Sequence, residues 1–322
     1  MSKRRHTEPA AAAALESARV VAAFGRHCLI ETEDGRRLIA HPRGKKNQAV
    51  VGDHVLWAAT GDEASIERLQ ERRNLFYRQD EIRTKSFAAN LDRVLILMAA
   101  EPEFSESQLS RALVAAEAEK ITPVIALNKC DLAEPFARAW GRLSPYRAMG
   151  YTVLPLALSP RGSAPVDDGV AALTDVLRGH HTLVLGPSGS GKSTLINRLV
   201  PEASAETGEI SQALNSGKHT TTSTRWYWVG ALDDAGQRGA LIDSPGFQEF
   251  GLHHIEPTRL AQCMPDVRQY LGQCKFYNCT HLHEPSCAVL AQVGASEQSH
   301  GISERRHRIY AQLFEELSQQ RW

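Results

Sequence analysis

No run of apolar residues in this chain of 322 approaches the roughly eighteen that a membrane-crossing helix needs. The alanine run Ala10 to Ala14 is too short, and too close to Glu16 and Arg19, to form the core of a secretory signal. Both absences point to a cytoplasmic protein. An excess of either charge is also lacking, since 37 Lys and Arg face 37 Asp and Glu. The balance is uneven along the chain, however. Residues 1–85 carry sixteen basic and twelve acidic side chains, so an anionic partner is to be sought at that end. What is present in quantity is apolar material: 42% of the residues argues against disorder, and the length allows two or three domains with a substantial core.

The segment Gly186-Pro187-Ser188-Gly189-Ser190-Gly191-Lys192-Ser193 follows the apolar run Leu183 to Leu185 and opens the helix-like run Thr194 to Leu199. Strand, glycine loop and helix in that order make a phosphate loop. Backbone N–H groups curl around a β-phosphate, Lys192 reaches the β/γ oxygens, and the Ser193 hydroxyl can ligate Mg²⁺ at a helix N-terminus. Asn128-Lys129-Cys130-Asp131 follows a second strand-like run, Val124 to Leu127, and matches a guanine-reading pattern. A carboxylate at Asp131 can accept two hydrogen bonds from the guanine N–H groups, whereas adenine offers no matching pair. Lys129 would lay its aliphatic stem along the base, and Asn128 would tie the loops together.

Asp243-Ser244-Pro245-Gly246 follows Ala240 to Ile242. Asp243 can hold Mg²⁺ through water, and the Gly246 N–H can meet the γ-phosphate and sense its loss. Between this motif and the phosphate loop lies Gly217-Lys218-His219-Thr220-Thr221-Thr222, where one threonine hydroxyl, not identified by sequence, would complete the Mg²⁺ shell. Ras-type GTPases place a glutamine after the D-x-x-G glycine, but here the residue is Phe247, which cannot orient water. His219 is the nearest polar candidate; it could instead touch phosphate or RNA. Conventional GTPases end with N-K-x-D, whereas here that motif precedes the phosphate loop by about sixty residues. The GTPase domain is therefore circularly permuted, which is tolerable when all motifs hang from the carboxyl ends of parallel strands.

Cys274, Cys279 and Cys287 enclose His281 and His283. Three thiolates and one imidazole make a closed, tetrahedral zinc site of the structural kind; a disulfide framework would need an oxidising compartment and leave the histidine unused. Before the GTPase, β-branched runs at Arg19 to Phe24, His27 to Thr32, Arg36 to Ala40 and Asp53 to Trp57 predict a small antiparallel barrel. Loops bearing Arg36, Arg37, Arg43, Lys45 and Lys46, and the run Arg72, Arg73, Arg78 and Arg83 beside Phe76 and Tyr77, offer an RNA-facing surface or a merely solvated one. Near the C-terminus Ser303 predicts the cap of a helix burying Ile309, Tyr310, Leu313, Phe314 and Leu317. Arg305, Arg306 and Arg308 are expected on its surface as a local basic patch that touches RNA or simply solvates the helix, and His253, His254 and His300 are expected to be surface histidines.

Permuted motif order, the barrel, G-K-H-T-T-T, D-S-P-G-F and C-x4-C-x-H-x5-C together resemble, over nearly the whole chain, the small-ribosomal-subunit-dependent GTPases of the RsgA (YjeQ) family. The resemblance implies a multidomain α/β protein: a basic tail over 1–17, an OB-fold over 18–84, a permuted P-loop GTPase domain over 85–252 and a mainly helical zinc domain over 253–322. It implies GTP hydrolysis during late maturation of the small subunit, with rRNA as partner; the sequence itself shows no membrane-spanning run and nothing that demands a dimer, so a monomer free of the membrane is expected. The resemblance also implies guanine contacts at Asn128, Lys129 and Asp131, a phosphate loop from Gly186 to Thr194, and zinc on Cys274, Cys279, His281 and Cys287. Two features depart from the pattern. Lys218 stands where the family usually has arginine, which keeps charge and loses bidentate bonding, and Leu156 to Ser159 lack the Ser-rich signature of the last guanine loop. Two other functions remain open on sequence alone, a nucleotide-dependent RNA-binding switch without hydrolysis and an ATP-dependent kinase or ATPase.

Overall fold

The β-branched runs at His27 to Thr32 and His54 to Trp57 bury alternate side chains, as closure of a sheet on itself requires. The computed structural model describes residues 15–25, 27–43, 49–60, 63–80, 83–159, 168–201, 203, 224–233, 235–245, 250–294 and 301–319. It divides into two compact units, Met1–Arg72 and Arg73–Trp322. In the first, β1 (Glu16–Phe24), β2 (His27–Thr32), β3 (Arg37–Pro42), β4 (His54–Thr60) and β5 (Glu63–Leu69) pair in the order β1-β2-β3-β5-β4, and β4 returns to β1. This is a closed five-stranded barrel filled by Val20, Ile30, Ala40, Val55, Trp57, Ala64 and Ile66. The strand β5 was not legible in sequence, because Glu63, Ser65, Glu67 and Arg68 leave it no apolar run.

Among the described residues, most of the barrel's arginines are paired. Arg36 pairs with Asp34 at 2.6 Å, Arg37 with Glu31 at 2.9 Å and Arg43 with Glu67 at 2.6 Å; Arg37 lies within β3 and not in a loop. Arg72 turns inward, its guanidinium donating to both oxygens of the fully buried Asp53 at 2.7 and 2.8 Å. Lys45, Lys46 and the tail at Met1 to His6 lie outside the described residues.

The second unit opens with a hairpin, β6 (Leu75–Gln79) and β7 (Thr84–Ala89). A six-stranded sheet follows, in the order β10-β9-β8-β11-β13-β12. Its strands are β8 (Arg93–Ala99), β9 (Thr122–Asn128), β10 (Thr152–Leu156), β11 (His181–Leu185), β12 (Arg225–Leu232) and β13 (Arg238–Asp243). All are parallel except β12. Strands buried on both faces read as unbroken apolar runs, and β8, β9 and β11 do. Helices α1 (Glu106–Ala118), α2 (Ala133–Arg142), α3 (Ser144–Ala148), α4 (Val170–Leu177) and α5 (Lys192–Leu199) connect them. Leu95, Leu97, Val124, Leu156, Leu173, Leu177, Val184, Leu195 and Leu241 form the shared core.

Past β13 the chain is stitched to the hairpin. Phe250 lies 5.6 Å from Phe76 and 6.0 Å from Phe87, ring centre to ring centre. The Gln79 N–H donates to the Gly251 carbonyl at 3.1 Å, and the His253 N–H to the Gln79 carbonyl at 3.0 Å. His254 packs on the Tyr77 ring at 4.2 Å with both ring nitrogens buried and without a hydrogen-bond partner, so it is not a surface histidine. Burial, with smaller contributions from Arg259 and His253, pushes its pKa from 6.5 down to about 4. The unfolded state therefore takes up the proton first, and stability present above pH 6.5 is lost as pH falls from 6.5 toward 4. Amide exchange over 75–79 and 250–255, corrected for intrinsic rates, should rise more from pH 7 to pH 5 in wild type than in His254→Phe; equal rises would discard this account.

Among the described residues, α6 (Pro257–Leu260), α7 (Pro265–Arg268) and α8 (Glu304–Ser318) are the helices of the C-terminal segment. The Ser303 hydroxyl caps α8 by accepting from the Arg306 N–H at 3.2 Å, and Ile309, Tyr310 and Leu313 are buried. Arg306 is a correction to the sequence reading. Only 3% exposed, it donates to both Asp266 oxygens at 2.8 and 3.1 Å and to the Ser110 hydroxyl at 2.7 Å, and so locks α8 to α7 and α1. Arg305 faces Glu106 at 3.3 Å. No helix among the described residues is long and apolar enough to cross a membrane.

Candidate nucleotide site and metal centre

Because β8, β9, β11 and β13 are parallel, their carboxyl ends meet at one edge, where loops bind ligands. The pairings Ala99 with Asn128, Leu185 with Ile96, and Val184 with Asp243 bring the N-K-x-D loop, the phosphate loop and the D-S-P-G motif to that edge. The phosphate loop turns tightly. A side chain at Gly186 would run into the Leu97 carbonyl, and at Gly191, where φ is +106°, its Cβ would come within 2.5 Å of Asn128 Nδ2. Gly191 also precedes the first turn of α5 without a side-chain cap, leaving Lys192, Ser193 and Thr194 to open a helix N-terminus suited to an anion. Ser190 is buried with its hydroxyl unpartnered; Pro187, Ser188 and Gly189 form the outer rim of the turn.

Asn128, 5% exposed, joins three loops with one side chain. Its Nδ2 donates to the Ser190 carbonyl at 3.0 Å, and its Oδ1 accepts from the Lys129 and Leu158 N–H groups at 2.8 and 3.0 Å. Lys129 has φ of +69°, and its ammonium donates to the Glu101 carbonyl. Asp131 lies half-buried beyond it. The Cys130 N–H donates to the Leu156 carbonyl at 2.9 Å, so the 156–159 loop, to which no contact could be assigned from sequence, lies against the N-K-x-D loop through its backbone. Backbone groups carry no residue signature, which is why the sequence was silent there.

The Lys192 ammonium donates to the Gly186 and Pro187 carbonyls at 2.7 and 3.0 Å. Burial lowers its pKa, and the Asp243 carboxylate opposes that. Burial raises Asp243 to about 6, against the pull of Lys192 and Arg225, so near neutral pH the carboxylate is ionised and available to a cation. Beside it Ser244, 2% exposed, donates its hydroxyl to the Val184 carbonyl at 2.8 Å and pins the start of the D-S-P-G loop to β11. His219, Thr220, Thr221, Thr222, Gly246 and Phe247 lie outside the described residues.

In the C-terminal segment the ligand atoms of Cys274, Cys279, His281 and Cys287 lie within 4.8 Å of one another. Cys274 and Cys287 Sγ are 3.8 Å apart, and each is 3.5 Å from His281 Nδ1. A tetrahedron with Zn–S near 2.3 Å and Zn–N near 2.0 Å has edges of about 3.8 and about 3.5 Å, so these residues fit one zinc ion. The backbone selects His281: φ of +63° turns its ring inward, whereas His283 is exposed. Glu284 accepts from the Thr280 and Leu282 N–H groups at 2.7 and 3.2 Å, which holds its carboxyl well below the usual carboxylate range. α8 supports the cluster through Tyr310, donating to the Thr280 carbonyl at 2.8 Å, and His307, 2.8 Å from the His281 carbonyl.

A family model described as RsgA GTPase matches residues 69–253. The small ribosomal subunit biogenesis GTPase RsgA of Variovorax paradoxus (strain S110) is 66% identical over 94% of this chain and 93% of its own length. The chain belongs to the RsgA GTPase family. It is thus a GTP hydrolase. The RsgA of Paraburkholderia xenovorans (strain LB400) is 51% identical over 93% of each chain. Among solved structures, YjeQ from Thermotoga maritima is 27% identical with a TM-score of 0.70 over 96% of this chain and 100% of its own, and YloQ, a circularly permuted GTPase, is 25% identical with a TM-score of 0.66 over 100% of both. In this member of the RsgA family the sequence reading missed Ser244, Glu284, His307 and Tyr310. A D-x-x-G pattern leaves the Ser244 position free, and only the fold brings α8 to the cysteine cluster.

Proposed function

We propose that this chain acts on the small ribosomal subunit during its late maturation, hydrolysing GTP to GDP and phosphate and coupling hydrolysis to release. The observation that carries the reading is the bridge made by Asn128, which fixes a base-reading loop to a phosphate loop, in a chain 66% identical to a small-subunit biogenesis GTPase. In this reading Asp131 accepts from the guanine N–H groups and Lys129 covers the base. The backbone from Gly186 to Thr194 cradles the β-phosphate, and Lys192 exchanges its two carbonyl acceptors for β/γ oxygens. Ser193, Asp243 through water, and a switch threonine such as Thr221 or Thr222 would hold Mg²⁺, which would supply charge neutralisation as the γ-phosphate departs. Gly246 senses that departure. The four-residue cluster holds zinc as a structural ion. The protein works as a cytoplasmic monomer on rRNA.

Turnover measured with and without purified small subunits tests this function: slow hydrolysis alone should rise at least tenfold, and equal turnover would defeat the proposal. His219, proposed to position the attacking water, gives a second result. His219→Ala should slow subunit-stimulated hydrolysis by about a hundredfold, in the range of acid–base or water-orienting groups, with GTP affinity nearly intact. Wild-type turnover in the variant would remove His219 from the mechanism.

A further inference from the structure

Among the described residues the exposed large hydrophobic side chains are Leu15, Phe276 and Tyr277. The last two are adjacent, and they occupy the short loop between the ligand positions Cys274 and Cys279. Tyr277 is as exposed as a side chain can be, at 103%, and Phe276 is 40% exposed. The loop is nonetheless held in place. The Lys275 N–H donates to the Ser286 carbonyl and the Cys279 N–H to the Phe276 carbonyl, each at 3.3 Å, and Cys274 and Cys279 belong to the metal-ligand cluster. The Lys275 ammonium sits 5.6 Å from the Phe276 ring centre, and no acidic residue lies between Cys274 and Cys279. The nearest carboxylate in sequence, Glu284, is engaged by the Thr280 and Leu282 N–H groups.

The Tyr277 ring, held out into water by a clamped loop, adds nothing to the core, the partly exposed Phe276 ring adjoins it in sequence, and the ordering cost of their loop is met before any partner arrives. A cation beside them, in a loop that carries no carboxylate of its own, suits a polyanion that carries flat apolar faces. We infer that Phe276 and Tyr277 form a stacking platform for unpaired nucleobases, with Lys275 on the adjoining phosphate; this rests on the small-subunit reading above and names the RNA feature that the zinc loop grips. Base–aromatic stacking contributes about 1–3 kcal/mol per base, and a lysine–phosphate contact adds about one unit to the salt dependence.

The test uses the full-length, zinc-loaded chain and purified small subunits. Tyr277→Ala should weaken subunit binding by about 5- to 150-fold, the stacking range just given, while zinc content and subunit-free GTP turnover stay at wild-type values. Tyr277→Phe should restore binding, since the ring and not the hydroxyl stacks. Lys275→Gln should reduce the slope of log affinity against log salt by about one. Zero-length ultraviolet crosslinking followed by peptide mass spectrometry should find a nucleotide on Phe276 or Tyr277. Unchanged affinity in Tyr277→Ala, failure of Tyr277→Phe to rescue, or a crosslink to a ribosomal protein in place of RNA would each overturn the platform. Absence of subunit binding by the wild type would overturn the broader function and the platform with it.

Discussion

Asp131→Asn should give a folded, zinc-loaded protein that has lost GTP. Hydrogen bonds to a charged acceptor are worth about 1.5–3 kcal/mol each, and the carboxylate is expected to accept two from guanine. The variant keeps one acceptor and points an N–H₂ donor at the guanine amino group. GTP affinity should fall by about 10²- to 10⁴-fold, the conversion of those two bonds at 1.4 kcal/mol per tenfold. The same amide can donate to a purine bearing a carbonyl at C2, so xanthosine triphosphate should gain where GTP loses, which separates base reading from general damage. Asn128, whose side chain holds the Ser190 and Leu158 backbone in place, is untouched, so the phosphate loop should keep its form. Nucleotide titration of wild type and variant with both triphosphates decides it. An Asp131→Asn protein that binds GTP as wild type would remove Asp131 from base recognition and reopen the ATP-dependent alternative.

What could be read before the fold was known divides by physical cause. Phosphate and base binding impose residue identities on short loops, so Gly186 to Ser193, Asn128 to Asp131 and Asp243 to Gly246 stand out without any tertiary information. The barrel was visible in β1 to β4 as short apolar, β-branched runs set off by turn residues; β5 was not, because Glu63, Ser65, Glu67 and Arg68 leave it no such run. Arg306 shows the opposite limit. In sequence it is one of three arginines in a helix, and only Asp266, forty residues away, and Ser110 make its burial affordable. A charge buried against partners this distant in the chain leaves no local signature. The residues alone left His283 competing with His281, the family spacing implied His281, and the structure makes the same choice through a backbone angle.

That choice bears on the second large effect, loss of zinc. Metal analysis should find one zinc per chain, the strongest tie closing the loop from Cys274 to Cys287, where the Lys275–Ser286 and Tyr310–Thr280 hydrogen bonds are the weaker ones. Structural zinc sites carry apparent binding free energies of about 10–16 kcal/mol at neutral pH, so Cys279→Ala or a strong chelator should unfold this segment and not merely soften it. The damage should have a boundary. α8 touches the cluster through His307 and Tyr310 but is anchored independently by Arg306 on Asp266 and Ser110. Amide exchange should therefore rise to near-unfolded rates over 274–290, while the amides of α8 from Arg306 onward and the sheet edge from Asn128 to Asp243 stay protected. GTP affinity should change by less than about threefold, because no ligand of the nucleotide lies beyond Gly246 in the proposed site, but stimulation of turnover by small subunits should disappear. A metal-free protein whose 274–290 amides exchange as slowly as in the zinc-loaded form would show that the four ligands are held by packing alone, and the structural role assigned to the ion would have to be withdrawn.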